Sequence, residues 1–272
     1  MPLLDFIIIG APKCGTTAAV VNLSRHPEVQ VGPAYRHPSH GREWIHFFSH
    51  DDEWARGVDW YTARFSGETP CECCGRSQAK RILGDKATDY LGLHVAHERI
   101  KEAMPAAKLI VFLRNPVDRL YSHWNHFSQA GMTPIAAFED ILLDGSPQIE
   151  WLDKTPERPT TQNWVEFGHY AQHLSHLFTL FPREQVAIEI AEIMRKDMAA
   201  GYKRLFRFLG VDPVAVDPTV FKPELTAEKK WPYKQPMAAA TRLKWLEYYR
   251  PHNEALFNLL GEELPEWIEF GG

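Results

Sequence analysis

Apolar residues along this chain fall into short continuous runs separated by stretches of helical spacing. Asp5–Ile9 (DFIII) is a compact apolar run closed by Gly10, which predicts a buried strand. Thr16–Arg25 carries Ala19, Val20 and Leu23 on one side, as a helix facing a core does, and His26-Pro27 stops it. Arg81–Asp85 (RILGD) predicts a weaker strand and Leu93–Met104 a helix. Lys108–Leu113 (KLIVFL) is the strongest strand pattern after the first. Asn115-Pro116 opens another helix, since proline fits a first turn where its missing N–H is not needed. Phe138–Leu143 and Tyr170–Phe181 read as helical, Val186–Ile190 (VAIEI) as a strand and Ala199–Leu209 as a helix. Strands alternating with helices predict an α/β fold, a parallel sheet with helices on both faces. Neither repeat nor linker divides the chain, so a single domain over 1–272 is expected. Gly32–Arg42, Ser66–Lys80 and Gly145–Glu166 remain irregular, and segments this long suit a cover over a site.

Composition narrows the function classes. Of 272 residues, 44% are hydrophobic and 24% charged, enough apolar surface to exclude disorder as the main state. No run of about 18 apolar residues occurs, so no transmembrane helix is expected. Met1–Ile9 lacks a basic start and meets Gly10 too early for a secretory signal, so a cytoplasmic location is expected. With 30 Lys and Arg against 35 Asp and Glu, the net charge of −5 argues against a nucleic-acid partner. Any anion site must therefore be built locally. The four cysteines are too few for a disulfide scaffold. Cys71, Cys73 and Cys74 cluster without the spacing or second pair of a zinc site; reduced thiols in a surface insertion are the plainer reading.

Such a local anion site is visible where the first strand meets the first helix. Gly10-Ala11-Pro12-Lys13-Cys14-Gly15-Thr16-Thr17 has the two glycines of a phosphate loop at the right spacing. Backbone N–H groups and the helix N-terminus cradle phosphate in such a loop. The fold is thus a P-loop-type central parallel β-sheet flanked by helices. In the usual pattern a lysine stands where this chain has Thr16; here the lysine lies inside the loop, as Lys13. A nucleotide kinase or NTPase would also need an aspartate at a neighbouring strand end to help hold Mg²⁺. Lys108–Leu113 ends in Arg114 instead, and Asp85 is followed by the competing Lys86. Arg114, with Ser122 eight residues on, offers a planar cationic fork and a hydroxyl to one anion.

Together these motifs resemble the sulfotransferases that use 3′-phosphoadenosine 5′-phosphosulfate, and within them the heparan-sulfate branch of N- and 3-O-sulfotransferases. The Lys13-Cys14-Gly15-Thr16-Thr17 loop matches the family's element for the 5′-phosphosulfate, and Arg114–Ser122 matches its RxPxxRxxS element for the 3′-phosphate. The likeness continues in Gly57–Tyr61, Asp85–Tyr90, Gly168–Tyr170, Tyr248–Asn253 and Leu264–Trp267, and so covers nearly the whole chain. The resemblance implies metal-independent transfer of a sulfuryl group from that donor to a hydroxyl or amine of a small molecule or saccharide. Lys13 and Lys86 would stabilise the leaving oxygen. His126, one helical turn beyond Ser122, would face the acceptor, or be a partly buried helix histidine. The family's basic loop over the nucleotide maps to Phe221–Met237, which lacks the usual Lys-Gly-Arg; Lys230 and Lys234 stand there as substitutes or as a solvated face.

The family's general base is a glutamate two residues before a His-Phe-Phe. Here Trp44 holds that place, Glu43 is one residue early, and His46-Phe47-Phe48 follows. In an extended segment a one-residue shift turns a side chain to the opposite face. A local bulge would restore Glu43; otherwise His46, which accepts protons near neutrality, is the next candidate. A catalytically silent nucleotide-binding module is the remaining alternative to the enzyme readings. Trp44, Trp124, Trp151 and Trp164 suit a small or hydrophobic acceptor at least as well as a long polyanion.

Overall fold

The computed structural model of the protein describes residues 4–32, 46–65, 82–131, 133, 135, 137–141, 164–221 and 236–268. Five strands, β1 (Phe6–Gly10), β2 (Val29–Val31), β3 (Ile82–Lys86), β4 (Lys108–Leu113) and β5 (Val186–Ile190), form one sheet. Its order is β2-β3-β1-β4-β5 and every pairing is parallel. β1 is buried at all its positions, and β4 at all but Lys108, as strands covered on both faces must be.

Among the described residues the α-helices are α1 (Thr16–Leu23), α2 (Asp51–Trp54), α3 (Val58–Ala63), α4 (His94–Ala103), α5 (Pro116–Gln129), α6 (Tyr170–Leu180), α7 (Ala191–Lys196), α8 (Met198–Leu209) and α9 (Ala239–Leu260). α1 packs with α8, where Asn22 Nδ2 donates to Tyr202 Oη at 3.1 Å. A second group joins α4 to α6, α6 to α9 and α9 to α5. Under α5 lies an apolar cluster that includes Leu120, Trp124, Phe138, Trp164, Trp245 and Tyr249.

Most predicted elements are present, with differences that have local causes. β1 and β3 each run one residue later than their apolar pattern, so Lys86 is the last residue of β3. Phe138–Leu143 is not an α-helix: Phe138–Asp140 makes one 3₁₀ turn, Ile141 is extended, and the remaining two residues lie outside the described set. The side chain of Asp140 turns back to accept from the Ala137 N–H at 3.2 Å, which closes a turn rather than starting a helix. β2, α2, α3 and α7 are each too short for their periodicity to register. α9 is the longest helix described, at 22 residues, yet it encloses Pro251, and its buried stripe mixes Trp245 and Tyr249 with Asn253. Proline inside a helical pattern argues for a break, which here does not occur.

α4 and α6 meet through four histidines. His97 Nδ1 and His176 Nδ1 are 3.0 Å apart, the His94 and His176 rings stack at 3.9 Å, and His173 Nε2 bonds the Glu166 carbonyl at 2.9 Å. Burial, with the neighbouring imidazoles, pushes His97 down to about 3. Burial also takes His173 down to about 4, against the pull of its bond to Glu166. The unfolded chain thus binds protons that the folded one refuses. Stability is complete above the ordinary histidine pKa of about 6.5 and is lost as pH falls toward those folded values. Between pH 7 and pH 5 each of the two histidines should cost up to about 2 kcal/mol. Urea unfolding at both pH values checks this: His97→Gln should flatten the dependence, and an unchanged slope would contradict it.

Candidate active site

Parallel pairing of β1 with β3 and β4 brings three strand ends to one edge of the sheet. The chain leaves β1 toward β2 on one side, while β4 leads to β5 on the other, so the β1–β4 crevice is a topological switch point. Ligands of open α/β sheets bind at such places. The loop after β1 emerges there, between Lys86 at the end of β3 and Arg114 just past β4.

The loop's shape requires its residues. Lys13 takes a left-handed φ of 69° and Gly15 one of 93°. Gly15 is exposed and caps α1 without any side-chain bond, which leaves the first-turn N–H groups of α1 for an anion. A Cβ on Gly10 would sit 2.7 Å from Leu91 Cβ and 2.9 Å from the Thr88 carbonyl. Glycine there lets the segment after β3 press against the loop. Thr16 is buried, Thr17 exposed, and Lys13 half-buried.

Cys14 turns away from the anion side. Its thiol lies 3.8 Å from Tyr170 Oη, and Tyr170 Oη donates to the Arg114 carbonyl at 2.8 Å. One tyrosine thus ties the loop after β1 to the end of β4. Burial pushes the Cys14 thiol up to about 11, against the opposing influence of Arg119, Tyr170 and Arg114.

On the other wall, Asn115 caps α5 by accepting from the Val117 N–H at 3.0 Å. α5 carries Ser122, which is 1% exposed and whose Oγ has no hydrogen-bond partner among the described residues, and the half-buried His126 one turn on. Arg119, the other arginine of the RxPxxRxxS element, faces the interior. It is fully buried, donates to the Trp164 carbonyl and lies 3.1 Å from His123 Nδ1. Its role is to hold 164–167 against α5, with the Phe167 ring 5.9 Å from its guanidinium. His123 is driven well below the ordinary histidine value by burial first, then by the charges of Arg119, Lys13 and His126. Lys13 and His126 therefore share one neighbourhood beside α5. Trp124 donates to the Ile135 carbonyl at 3.1 Å and Trp164 stacks on His123 at 4.9 Å, so both are taken up by packing rather than offered to an acceptor.

The β3 side holds the third group. Asp85 is buried and accepts from Tyr61 Oη at 2.7 Å; burial raises its carboxyl above the ordinary value, with the Tyr61 bond, Lys86 and His46 opposing. That bond faces the aromatic layer where Phe47 stacks on Tyr61 at 4.5 Å. His46 sits beside this layer, with Nδ1 3.0 Å from both carboxylate oxygens of Asp89. Among the described residues, His46, His50 and Asp89 also form a group able to hold a metal ion.

The structure therefore brings Lys13, Gly15, Thr16, Thr17, Lys86, Arg114, Ser122 and His126 to the ends of β1, β3 and β4 and the helices that follow them, while His46, between β2 and α2, is joined to the segment after β3 through Asp89. Glu43, Trp44, Trp151, Lys230, Lys234 and the cysteines at 71, 73 and 74 lie outside the described residues. Sequence reasoning assigned no role to Tyr170, Asp89 or Ser49. Tyr170 and Asp89 stand inside segments whose family likeness was visible, but their partners are distant in the chain.

Comparison with known proteins agrees with this geometry. The family described as "Sulfotransferase domain" matches residues 3–253. The bifunctional heparan sulfate N-deacetylase/N-sulfotransferase 2 of Bos taurus is 27% identical over 288 residues, covering 98% of this chain and 31% of that protein. N-deacetylase/N-sulfotransferase 1 of Homo sapiens is 27% identical over 285 residues, with 96% and 30% covered. The chain thus spans about a third of the length of the curated relatives it matches. A sulfotransferase structure from Alicyclobacillus acidocaldarius superposes with a TM-score of 0.73 at 23% identity, covering 98% of this chain and 99% of that one. Sulfotransferase STF9 from Mycobacterium avium gives 0.53 at 13% identity, with 97% and 79% covered. Both solved structures share the fold.

The thiol contacts generate a direct test. Native protein at pH 8 should leave Cys14 unmodified by iodoacetamide over hours, whereas unfolded protein is alkylated within minutes, as read by peptide mass mapping. Rapid native labelling of Cys14 would place its thiol in the open site.

Proposed function

Because the chain belongs to the sulfotransferase domain family, we propose that it binds 3′-phosphoadenosine 5′-phosphosulfate across the β1–β4 crevice and passes its sulfuryl group to an acceptor hydroxyl or amine. The observation that carries this is the pairing of two anion elements at adjacent strand ends. The loop Lys13–Thr17 opens α1 without a side-chain cap, and α5 presents a buried Ser122 hydroxyl that no group among the described residues satisfies. A buried hydroxyl left without a partner costs about 1–3 kcal/mol, which a phosphate oxygen would recover.

In this reading the α1 N-terminus and Lys13 hold the 5′-phosphosulfate, and Arg114 with Ser122 holds the 3′-phosphate. Lys13, in the loop after β1, and Lys86, at the end of the neighbouring β3, would take up the charge that develops on the bridging oxygen as the S–O bond breaks. Lys230 and Lys234 stand in the region of the family's basic loop and would add positive charge for the nucleotide. The acceptor's proton goes to a base contributed by Glu43, His46 or His126. The relatives named as heparan sulfate N-sulfotransferases support a saccharide amine among the acceptors. A net charge of −5 supports a small acceptor over a long polyanion.

Calorimetric titration separates this from a kinase-like nucleotide site. Adenosine 3′,5′-bisphosphate should bind without added metal, and MgATP should not be turned over. The opposite pattern would overturn the reading.

Two sets of variants probe the donor site. Lys13→Ala should lower kcat by about 10²–10³, the usual cost of one oxyanion contact; near-normal turnover would remove the loop from the chemistry. Arg114→Ala and Ser122→Ala should weaken the 3′-phosphorylated donor by about 1.5–3 kcal/mol each, the worth of a hydrogen bond to a charged group. Adenosine 5′-phosphosulfate, lacking that phosphate, should be little affected, and equal losses for both nucleotides would place these residues elsewhere.

A further inference from the structure

The imidazole of His46 is held from several directions. Nδ1 lies 3.0 Å from Oδ1 and from Oδ2 of Asp89. Ser49 Oγ donates to Asp89 Oδ2 at 2.6 Å, which fixes the carboxylate in turn. The His46 backbone N–H donates to Glu53 Oε2 at 2.9 Å, and the His50 ring stacks on the imidazole at 4.9 Å. An ionised carboxylate only accepts hydrogen bonds. Nδ1 therefore carries the proton, and Nε2 is the nitrogen that keeps its lone pair. Burial tends to raise the Asp89 carboxyl, but the bond and charge of His46 and the bond from Ser49 outweigh it and hold it below its ordinary value.

The location of this pair bears on the reaction. Asp89 belongs to the segment 88–91 that presses on Gly10 at the start of the phosphate loop. It follows Lys86 by three residues, and both His46 and Lys86 act on the buried charge of Asp85. Among the described residues, the charged and titratable groups tied to His46 include Asp89, Asp85 and Glu53, with the His50 ring stacked on it.

We propose that His46 is the general base of sulfuryl transfer and that Asp89, steadied by Ser49, is its positioning residue. The inference rests on the sulfotransferase reading above and replaces the glutamate that Trp44 displaces. The acceptor's lone pair forms the new bond to sulfur. The bond from sulfur to the bridging oxygen breaks, and its electron pair stays on the 5′-phosphate. The acceptor's proton moves to His46 Nε2, the imidazolium is balanced by Asp89, and the proton then leaves to solvent. An orienting carboxylate behind a histidine base sets the tautomer and the ring direction, and in the serine-protease triad its amide replacement costs about 10⁴ in kcat.

The test combines kinetics with donor binding. Asp89→Asn should lower kcat by about 10²–10⁴ while adenosine 3′,5′-bisphosphate binds as to the wild type. Its acidic limb of kcat should move to lower pH, because the imidazolium loses its counter-charge. His46→Ala should regain activity with added imidazole, a rescue that a purely structural role would not give. The Asp89→Asn loss should exceed that of Glu43→Gln. The reverse ranking, absence of imidazole rescue, or a fall in bisphosphate affinity matching the fall in kcat would each overturn the proposal. So would activity abolished by chelators and restored by Zn²⁺, which would make His46, His50 and Asp89 a metal site. Wild-type protein that fails to bind the bisphosphate would instead sink the sulfotransferase reading itself.

Discussion

The parallel hydrogen bonding of β1 between β3 and β4 is the constraint on which the rest of the molecule depends. Ile7 and Ile8 pair on one side with Asp85 and Lys86 and on the other with Leu109 and Ile110, so all three strands release their chains at the same edge. Each strand end carries a different charge or donor group, and none of the three could hold a dianion alone. Brought to one edge, Lys13, Lys86 and Arg114 flank a helix N-terminus whose own N–H groups already favour negative charge. A net negative protein can thereby gather cationic side chains at one edge, because local placement rather than overall charge sets what an anion meets there.

Keeping that edge in register falls to buried polar contacts rather than to the apolar core. Tyr170 touches the loop after β1 through Cys14 and the end of β4 through the Arg114 carbonyl. Arg119 holds the Trp164 carbonyl against α5, and Tyr249 donates to the Val165 carbonyl at 2.8 Å from α9. Apolar packing resists separation but tolerates sliding, whereas a buried donor displaced from its acceptor costs its full desolvation penalty. These links set where α5, and hence Ser122 and His126, stand relative to the phosphate loop.

The histidines show how one residue type takes opposite roles by environment. On α4 and α6, His97 and His173 are buried, kept neutral by that burial, and lend stability that acid removes. Next to Asp89, His46 meets a carboxylate that favours its charged form.

Much was legible from the chain itself. The runs at Asp5–Ile9, Lys108–Leu113 and Val186–Ile190 locate strands to within a residue; for the first two the reason is that a strand buried on both faces leaves a continuous apolar signature. Lys13, Gly15 and Thr16 declare a phosphate loop for an equally local reason: strand, glycines and helix start are contiguous. Arg114 and Ser122 belong to the same class, lying on a single strand–helix junction. Proline and mixed polarity hid α9, and brevity hid β2 and α7. What the sequence could not contain is any relation between distant segments. That Arg119 serves packing while Ser122, three residues on, is left with an unsatisfied hydroxyl depends on where 164–167 lies against α5. That Asp89 stands behind His46 depends on a 43-residue separation spanned between β2, which precedes His46, and its partner strand β3, which precedes Asp89. Local patterns are written by neighbours in the chain, whereas a residue's role is decided by neighbours in space, and only folding brings those together.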